Sequence, residues 1–261
     1  MRPSALVLTA LCLLGVTGAH AHHDAVSAAH PEQGIAFEQH LDASLPGGLR
    51  LVDAAGQRVT LAGELGKPTV LVLGYLACRD LCPLTLEGAT EALDRTGLAP
   101  GRDYRALFVS IDPRATPAAL REARDQRLAP RDRAVWRFLA GDAQAVDALA
   151  NAVGFHYRYD AAHDDYAHPA GFVVLSPGGR VARYFFGVRY DSGEVAEALR
   201  DAAGHAPARA ASPLLLLCYH YDPLTGRYTL TVLGVLRAVG AAFLLVAGLW
   251  IWRQRRARGD A

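Results

Sequence analysis

Cysteine is scarce in this sequence. Only four cysteines occur in 261 residues, at Cys12, Cys78, Cys82 and Cys218. A small scaffold stapled by disulfides needs many more, so that class of protein is excluded. Cys12 lies in an N-terminal apolar segment described below, and we interpret the other three as chemical rather than structural.

An excess of charge of one sign is also lacking. Lys and Arg number 27 against 26 Asp and Glu, which gives a formal net charge of +1. No basic stripe occurs outside the last few residues, so the charge pattern does not favour nucleic acid as a partner. The sequence contains no internal repeat.

The N-terminal segment has the three-part pattern of a secretory signal. Residues 1–21 contain an early positive charge at Arg2, an apolar run and then small residues, and the run is too short to span a bilayer comfortably. Its last three residues, Ala-His-Ala, form a small-x-small cleavage site that predicts a mature start at His22. Cleavage after Ala19 and an uncleaved anchor are the alternatives. Residues 22–43 show no periodicity and are interpreted as a flexible, histidine-containing tail.

The C-terminal segment has the pattern of a single membrane span. Residues 230–252 are apolar apart from Arg237, which we expect to snorkel to the outer interface. As a helix they would measure about 34 Å, against a hydrocarbon core of about 30 Å. Residues 253–261 form a basic tail, and basic flanks stay in the cytoplasm. Together with the signal, this predicts a single-pass protein of the inner (cytoplasmic) membrane whose functional domain is periplasmic and whose C-terminus is cytoplasmic.

One domain is predicted between the two ends, over residues 44–203, and residues 204–229 form a linker and juxtamembrane segment. Apolar runs typical of buried strands alternate with segments of helical spacing. The strands are "KPTVLVLGYLA", "DYRALFVSIDP" and "AVWRFLAG", and the helices are "LCPLTLEGATEALDRTG", "TPAALREARDQRL", "DAQAVDALANAVG" and "SGEVAEALRDAAG". Two short strands in "GLRLVDAAGQRVTLAGEL" come first, and a hairpin in "AGFVVLSPGGRVARYFFGV" comes near the end. This order predicts an α/β fold with a mixed central sheet.

Cys78 and Cys82 stand between a predicted buried strand and a predicted helix. The unpaired amide groups and the dipole at a helix N-terminus favour the thiolate form. An inert disulfide is weakly motivated, because so short a loop constrains little chain entropy. A redox dithiol is the second interpretation, although the usual redox motif is C-x-x-C, and two ligands of a soft metal are the third.

A soft metal held by two thiolates commonly takes an imidazole as a third ligand. The domain offers His156, His163 and His168. His168 directly precedes "PAGFVVLSP" and so lies just before a predicted strand, not in its middle. This position makes it our preferred candidate, and His163 is the alternative. A histidine with no ligand role is the competing interpretation.

Three motifs taken together resemble the Sco/SenC family of thioredoxin-like copper proteins. They are "GKPTVLVLGYLACRDLCPL", then "FVSIDP" with Thr116-Pro117 after it, then "YAHPAGFVVLSPGGRV". The resemblance covers about residues 44–203 and implies a thioredoxin-like fold. The sequence departs from the family pattern at Arg79, which replaces a proline between the cysteines, and at Pro169, where a polar residue is expected.

The resemblance implies that Cys78, Cys82 and His168 bind one copper ion, as Cu(I) or Cu(II), through two sulfurs and one nitrogen. The implied function is assembly of the dinuclear copper centre of cytochrome c oxidase, through copper delivery, reduction of the oxidase cysteines, or both. The implied partners are the copper-binding oxidase subunit, other periplasmic copper carriers or thiol reductants, and the membrane. This is the role of a metallochaperone, and a thiol–disulfide reductase activity of the Cys78–Cys82 redox dithiol stays open.

A thiol–disulfide oxidoreductase without a copper-transfer role is the alternative function, with Cys78 attacking and Cys82 resolving. A peroxidase of the peroxiredoxin kind is disfavoured, because Leu71 and Tyr75 stand where that family's signature has proline and threonine.

Cys218 and His220 are weaker candidates for a second copper site. If the segment is extended, their side chains lie on one face. Ordinary packing of a juxtamembrane segment is the competing interpretation.

Overall fold

A seven-stranded mixed sheet forms the centre of the domain. The computed structural model describes residues 34–77, 81–211, 221–222, 227–228 and 230–259. The strands up to residue 186 are β1 (Ala36–Phe37), β2 (Arg50–Asp53), β3 (Arg58–Thr60), β4 (Thr69–Gly74), β5 (Arg105–Ser110), β6 (Trp136–Gly141), β7 (Phe155–His156), β8 (Arg158–Asp160), β9 (Asp165–Ala167), β10 (Gly171–Leu175) and β11 (Val181–Phe186). The sheet order is β11-β10-β4-β5-β6-β2-β3, with β4, β5 and β6 parallel and the other neighbours antiparallel. The predicted α/β fold with a mixed central sheet is confirmed.

Helices cover both faces of this sheet. They are α1 (Leu61–Glu64), α2 (Leu81–Asp94), α3 (Pro117–Arg127), α4 (Ala143–Ala152) and α5 (Ser192–Ala203), with a short 3₁₀ helix over Asp132–Ala134. Helices α2, α3 and α5 bury apolar side chains against one face, and α4 packs against the other. All six residues of β4 are buried, which explains its continuous apolar sequence, because a strand covered on both faces has no solvent side.

The helix starts follow local sequence signals. Thr116 accepts a hydrogen bond from the backbone N–H of Ala119 at 3.2 Å, and Pro117 occupies the first turn of α3. Asp142 accepts from the N–H of Ala145 at 2.8 Å at the start of α4. These caps satisfy amide groups that have no partner within the helix.

Two parts of the chain differ from the sequence expectation. The second of the two short strands ends at Thr60, because its hydroxyl accepts from the N–H of Gly63 at 3.3 Å and starts helix α1. Residues 36–37, assigned to the flexible tail, pair with β7 as strand β1. The ring of Phe37 lies 5.2 Å from that of Phe155, so the packed domain begins before residue 44. A two-residue strand is too short to show periodicity, and its partner lies far away in sequence.

The C-terminal part contains strands β12 (Tyr221–Asp222) and β13 (Arg227–Tyr228) and helix α6 (Leu230–Gly259). Large apolar side chains along α6 are exposed, among them Phe243, Leu244 and Trp250. Within the described residues, no helix meets the combined length and hydropathy required for crossing a bilayer. The membrane span over residues 230–252 stays a prediction.

Candidate metal centre

The segment that carries the cysteines, which we call the cysteine loop, runs from the end of β4 into the first turn of α2, at the carboxyl end of the parallel strands. Strand β4 ends at Gly74 and α2 begins at Leu81. Cys78 lies outside the described residues, as does the side chain of Cys82, whose backbone occupies the first turn of α2. The expected strand–loop–helix setting of the pair is therefore present, at the edge of an open α/β sheet where ligands commonly bind.

Sheet pairing brings His168 to the same edge. In the antiparallel pairing of β10 with β4, Val173 lies opposite Leu71. The start of β10 is therefore beside the end of β4. Because His168 precedes β10 by three residues, the backbone places it on the side of the sheet where the cysteine loop begins.

The His168 imidazole is held in a defined tautomer. Its Nδ1 lies 2.9 Å from the carbonyl oxygen of Pro169, and a carbonyl can only accept a hydrogen bond, so Nδ1 carries the proton. The lone pair is then on Nε2, the nitrogen that a metal would bind. The ring centroid lies 5.8 Å from that of Phe155. Although Pro169 departs from the family pattern, its carbonyl orients the imidazole.

Aromatic packing links the two segments. Tyr75, the first residue after β4, has its ring centroid 5.0 Å from that of Tyr166, two residues before His168. The Tyr75 hydroxyl donates to the carbonyl oxygen of Asp164 at 3.2 Å, and burial raises the pKa of this phenol. The residue that opens the cysteine loop thus contacts the hairpin that leads to His168.

An ion-pair network at the same edge was not foreseen from the sequence. Asp112 follows β5 and is only 9% exposed. The Arg114 guanidinium contacts its carboxylate through Nε to Oδ1 at 2.9 Å and Nη2 to Oδ2 at 3.1 Å. Arg114 Nη1 also lies 2.9 Å from Oδ1 of Asp164. The pKa of the Arg114 guanidinium is raised, most strongly by its hydrogen bonds to Asp112 and next by its hydrogen bond to Asp164. The position of "IDPR" directly after a buried strand was the signal that could have identified these residues.

The other two histidines of the domain have different surroundings. His163 lies in the β8–β9 turn with a 77% exposed side chain, and its Nδ1 is 2.8 Å from Oδ2 of Asp160, which raises the pKa of the imidazole. His156 belongs to β7, and its Nε2 is 3.5 Å from Oε2 of Glu38. His168 is the histidine that the pairing of β10 with β4 brings to the sheet edge where β4 ends.

Of the three predicted copper ligands, only the side chain of His168 lies within the described residues. In the portion of the chain that the structure covers, no three His, Cys, Asp or Glu side chains are grouped in a way that could hold a metal. Both thiols of the proposed set, and Cys218 and His220 as well, lie outside that portion.

Comparison with known proteins decides the family. The family model described as SCO1/SenC matches residues 38–204, which is well over half of the chain. The chain belongs to the SCO1/SenC family. A solved protein of Aquifex aeolicus VF5 is 29% identical with a TM-score of 0.58, covering 63% of this chain and 95% of its own. Copper-bound ScoI of Bradyrhizobium japonicum is 27% identical with a TM-score of 0.51, covering 61% and 99%.

A curated relative in the SCO1/SenC family is the protein SenC of Rhodobacter capsulatus. It is 29% identical over 116 residues, which are 44% of this chain and 50% of SenC. Across the curated relatives, the matched segments span between 21% and 54% of the relatives' own lengths. BsSco, a solved protein that shares the fold at 18% identity and a TM-score of 0.52, is a member of the Sco family of cytochrome c oxidase assembly proteins.

Proposed function

We propose that this Sco-family protein is a membrane-anchored periplasmic copper-binding protein that assists assembly of the dinuclear copper centre of cytochrome c oxidase. Copper is its cargo, held by Cys78, Cys82 and His168. The family match over residues 38–204 carries this proposal. The copper-bound structure of Bradyrhizobium japonicum ScoI supports the choice of metal.

The chemistry of the residues fits copper. Two thiolates are soft ligands that satisfy Cu(I), and an imidazole nitrogen allows the same site to accept Cu(II). The hydrogen bond between Nδ1 of His168 and the Pro169 carbonyl leaves the lone pair on Nε2, as a ligand imidazole requires. The partner that receives the copper is the copper-binding subunit of the oxidase, and other periplasmic copper carriers or thiol reductants load or reduce the site.

Anaerobic copper titration of the reduced full-length protein in detergent tests the proposal. We expect one tightly bound Cu(I) and one tightly bound Cu(II) in competition with a chelator. Cys78→Ser and Cys82→Ser should each abolish tight binding of both ions, because each removes a thiolate. His168→Ala should weaken Cu(II) binding and leave Cu(I) binding largely intact.

His163→Ala is the matched control, because it removes an imidazole from the same region. Its ring is exposed and paired with Asp160, so copper binding should be unchanged. A reduced wild-type protein that binds no copper tightly would refute the copper-binding function. Equal losses from His163→Ala and His168→Ala would refute the choice of His168.

A thiol–disulfide oxidoreductase is the second candidate function, and the position of Cys82 in the first turn of α2 favours it, since a helix N-terminus stabilises the thiolate with which Cys82 resolves a mixed disulfide. In this reaction the Cys78 thiolate attacks a disulfide of the partner, forms a mixed disulfide and releases one partner thiolate, which takes up a proton. Cys82 then attacks Cys78, leaving a Cys78–Cys82 disulfide and a reduced partner, and a periplasmic dithiol reductant restores the pair.

Reduction of a disulfide peptide from the oxidase subunit separates the two functions. The copper-binding function predicts that His168→Ala retains this reduction while losing Cu(II) affinity. A variant with normal copper affinity and no peptide reduction would instead favour the oxidoreductase.

The membrane anchor and the periplasmic location rest on the two ends of the sequence. The N-terminal signal pattern and the basic tail after residue 252 indicate the same orientation. The exposed apolar side chains of α6 fit contact with lipid. Alkaline phosphatase fused after Ala211 should be active, because that junction is periplasmic, and a fusion after Ala261 should be inactive. Activity of both fusions would contradict the single span.

A further inference from the structure

The hairpin that leads to His168 is not part of the central sheet. Within the described residues, β8 and β9 pair only with each other, over three residues each. A two-stranded hairpin of this length is not stable alone in water. Side-chain contacts, together with the short connections to β7 and β10, therefore hold it at the sheet edge.

A set of three charged residues supplies the first contact. Arg114 is fixed at the edge of the sheet by its two hydrogen bonds to Asp112, and such bidentate pairs restrict the guanidinium in both position and plane. Its remaining Nη1 donates to Oδ1 of Asp164 at 2.9 Å. We call Asp112, Arg114 and Asp164 the hairpin clasp, because together they connect the end of β5 to the β8–β9 turn.

Tyrosine hydroxyls strengthen the connection at Asp164. The backbone oxygen of Asp164 accepts from Tyr75 at 3.2 Å, and Oδ1 accepts from Tyr159 at 2.7 Å. Asp164 has a φ of 48°, a left-handed conformation that Asp and Asn adopt more readily than most residues. Asp164 thus shapes the turn and also accepts hydrogen bonds from Tyr75, which follows β4, and from Arg114, which lies beyond the end of β5.

We propose that Arg114 and Asp164 are positioning residues for His168 that set the affinity of the site for Cu(II) while leaving its affinity for Cu(I) unchanged. The inference rests on the proposed copper function. Cu(I) is satisfied by the thiolates of Cys78 and Cys82, whereas Cu(II) depends on the imidazole. Without the clasp the hairpin is more mobile. Cu(II) binding must then order His168, and the entropy cost of that ordering lowers the affinity for Cu(II).

Asp164→Asn and Arg114→Gln test the inference in the full-length protein. Asn tolerates the left-handed turn, and its loss of charge breaks the ion pair with Arg114. The pair is largely exposed and exposed ion pairs contribute little, so we expect a loss of up to about 5-fold, for Cu(II) alone. The nitrogen hyperfine coupling in the EPR spectrum of the Cu(II) form should change, an effect that a general loss of stability would not produce. The double variant should lose no more than the worse single variant, because both changes break the same contact.

Asp160→Asn is the matched control. It removes the same charge from the same hairpin, but Asp160 pairs with exposed His163 rather than with the sheet. Cu(II) affinity and EPR spectrum should match those of the wild type. Arg114→Gln leaves the nearly buried Asp112 carboxylate without its bidentate partner and can impair folding, so Asp164, whose side chain is 66% exposed, gives the decisive variant.

The outcomes separate this inference from the proposed function. If wild-type protein binds Cu(II) through His168 and Asp164→Asn matches it in affinity and spectrum, the clasp has no positioning role. Equal loss of Cu(I) and Cu(II) in Asp164→Asn would also overturn the inference, because the clasp would then act on the cysteines. Absence of copper binding in the wild type overturns the proposed function and the inference with it.

Discussion

Gly88→Ala tests how closely α2, the helix that carries Cys82, packs against the backbone at Val188. A Cβ on Gly88 would lie 2.0 Å from the carbonyl oxygen of Val188 and 3.4 Å from Cε2 of Tyr190. Non-bonded heavy atoms are most stable near 3.5 Å. The added Cβ and the Val188 oxygen must therefore separate by about 1–1.5 Å, through movement of α2 or of the segment around Val188. The obstacle is backbone, so no change of side-chain rotamer relieves it.

Two opposing effects decide the sign of the change in stability. Ala is favoured over Gly in an open helix by about 1 kcal/mol, and overpacking typically costs about 1–3 kcal/mol. Because backbone must move, we expect the upper part of that range and a net loss of about 1–2 kcal/mol in the free energy of unfolding. For a domain of this size the loss lowers Tm by about 2–8 °C. The shift of α2 should also weaken Cu(I) binding, since Cys82 moves with the helix.

Thermal unfolding followed by circular dichroism measures the first effect, and Cu(I) titration measures the second. Glu87→Ala is the control, because this neighbouring side chain is exposed and its removal should change stability by less than about 0.5 kcal/mol. A Gly88→Ala protein with unchanged or raised Tm would refute the reasoning, since helix propensity alone would then account for the result.

Three further predictions concern the fold and the hairpin. Phe108→Ala should destabilise the domain by about 3–5 kcal/mol in urea unfolding, because Phe108 is fully buried and its ring stacks on Phe138 at 4.7 Å; a loss below 1 kcal/mol would contradict this packing. Asp142→Ala should cost about 0.5–2 kcal/mol through loss of the α4 cap, whereas Asp142→Asn should retain most of it. His163 should titrate by NMR above the ordinary value of about 6.5, because Asp160 raises its pKa; the pair stabilises the fold below pH 6.5 and the contribution is lost as pH rises through the higher folded value. Asp160→Asn should return that pKa to its ordinary range, and no change on this substitution would exclude the pair as its cause.

Elements with local signals were predictable from the sequence. Strand β4 follows from an uninterrupted apolar run, and α3 follows from Thr116 as cap and Pro117 in the first turn. The position of His168 before a strand was readable for the same reason. These features depend on neighbours in sequence, so a single sequence is sufficient to find them.

The β8–β9 hairpin could not be predicted, because its stability comes from distant residues. Its strands have three residues each, and its turn contains no glycine and uses Asp164 in the left-handed conformation. Arg114, which binds that turn, lies 50 residues earlier. Pairing of β1 with β7 is hidden in the same way, since each strand has only two residues. Sequence periodicity carries no information about contacts of this kind.

The position of β4 in the sheet has a consequence for the order of events during synthesis. One neighbour of β4 is β10, so Leu71 must wait for Val173, about 100 residues later, before it finds its partner. At typical synthesis rates of about 5–20 residues per second, that interval lasts about 5–20 s. For that time the two cysteines exist on a chain that cannot yet close its sheet, and His168 has not been made for most of it. The three proposed ligands therefore meet only near the end of domain synthesis, and any oxidant or metal that reaches the thiols earlier meets a nascent chain instead of a finished site.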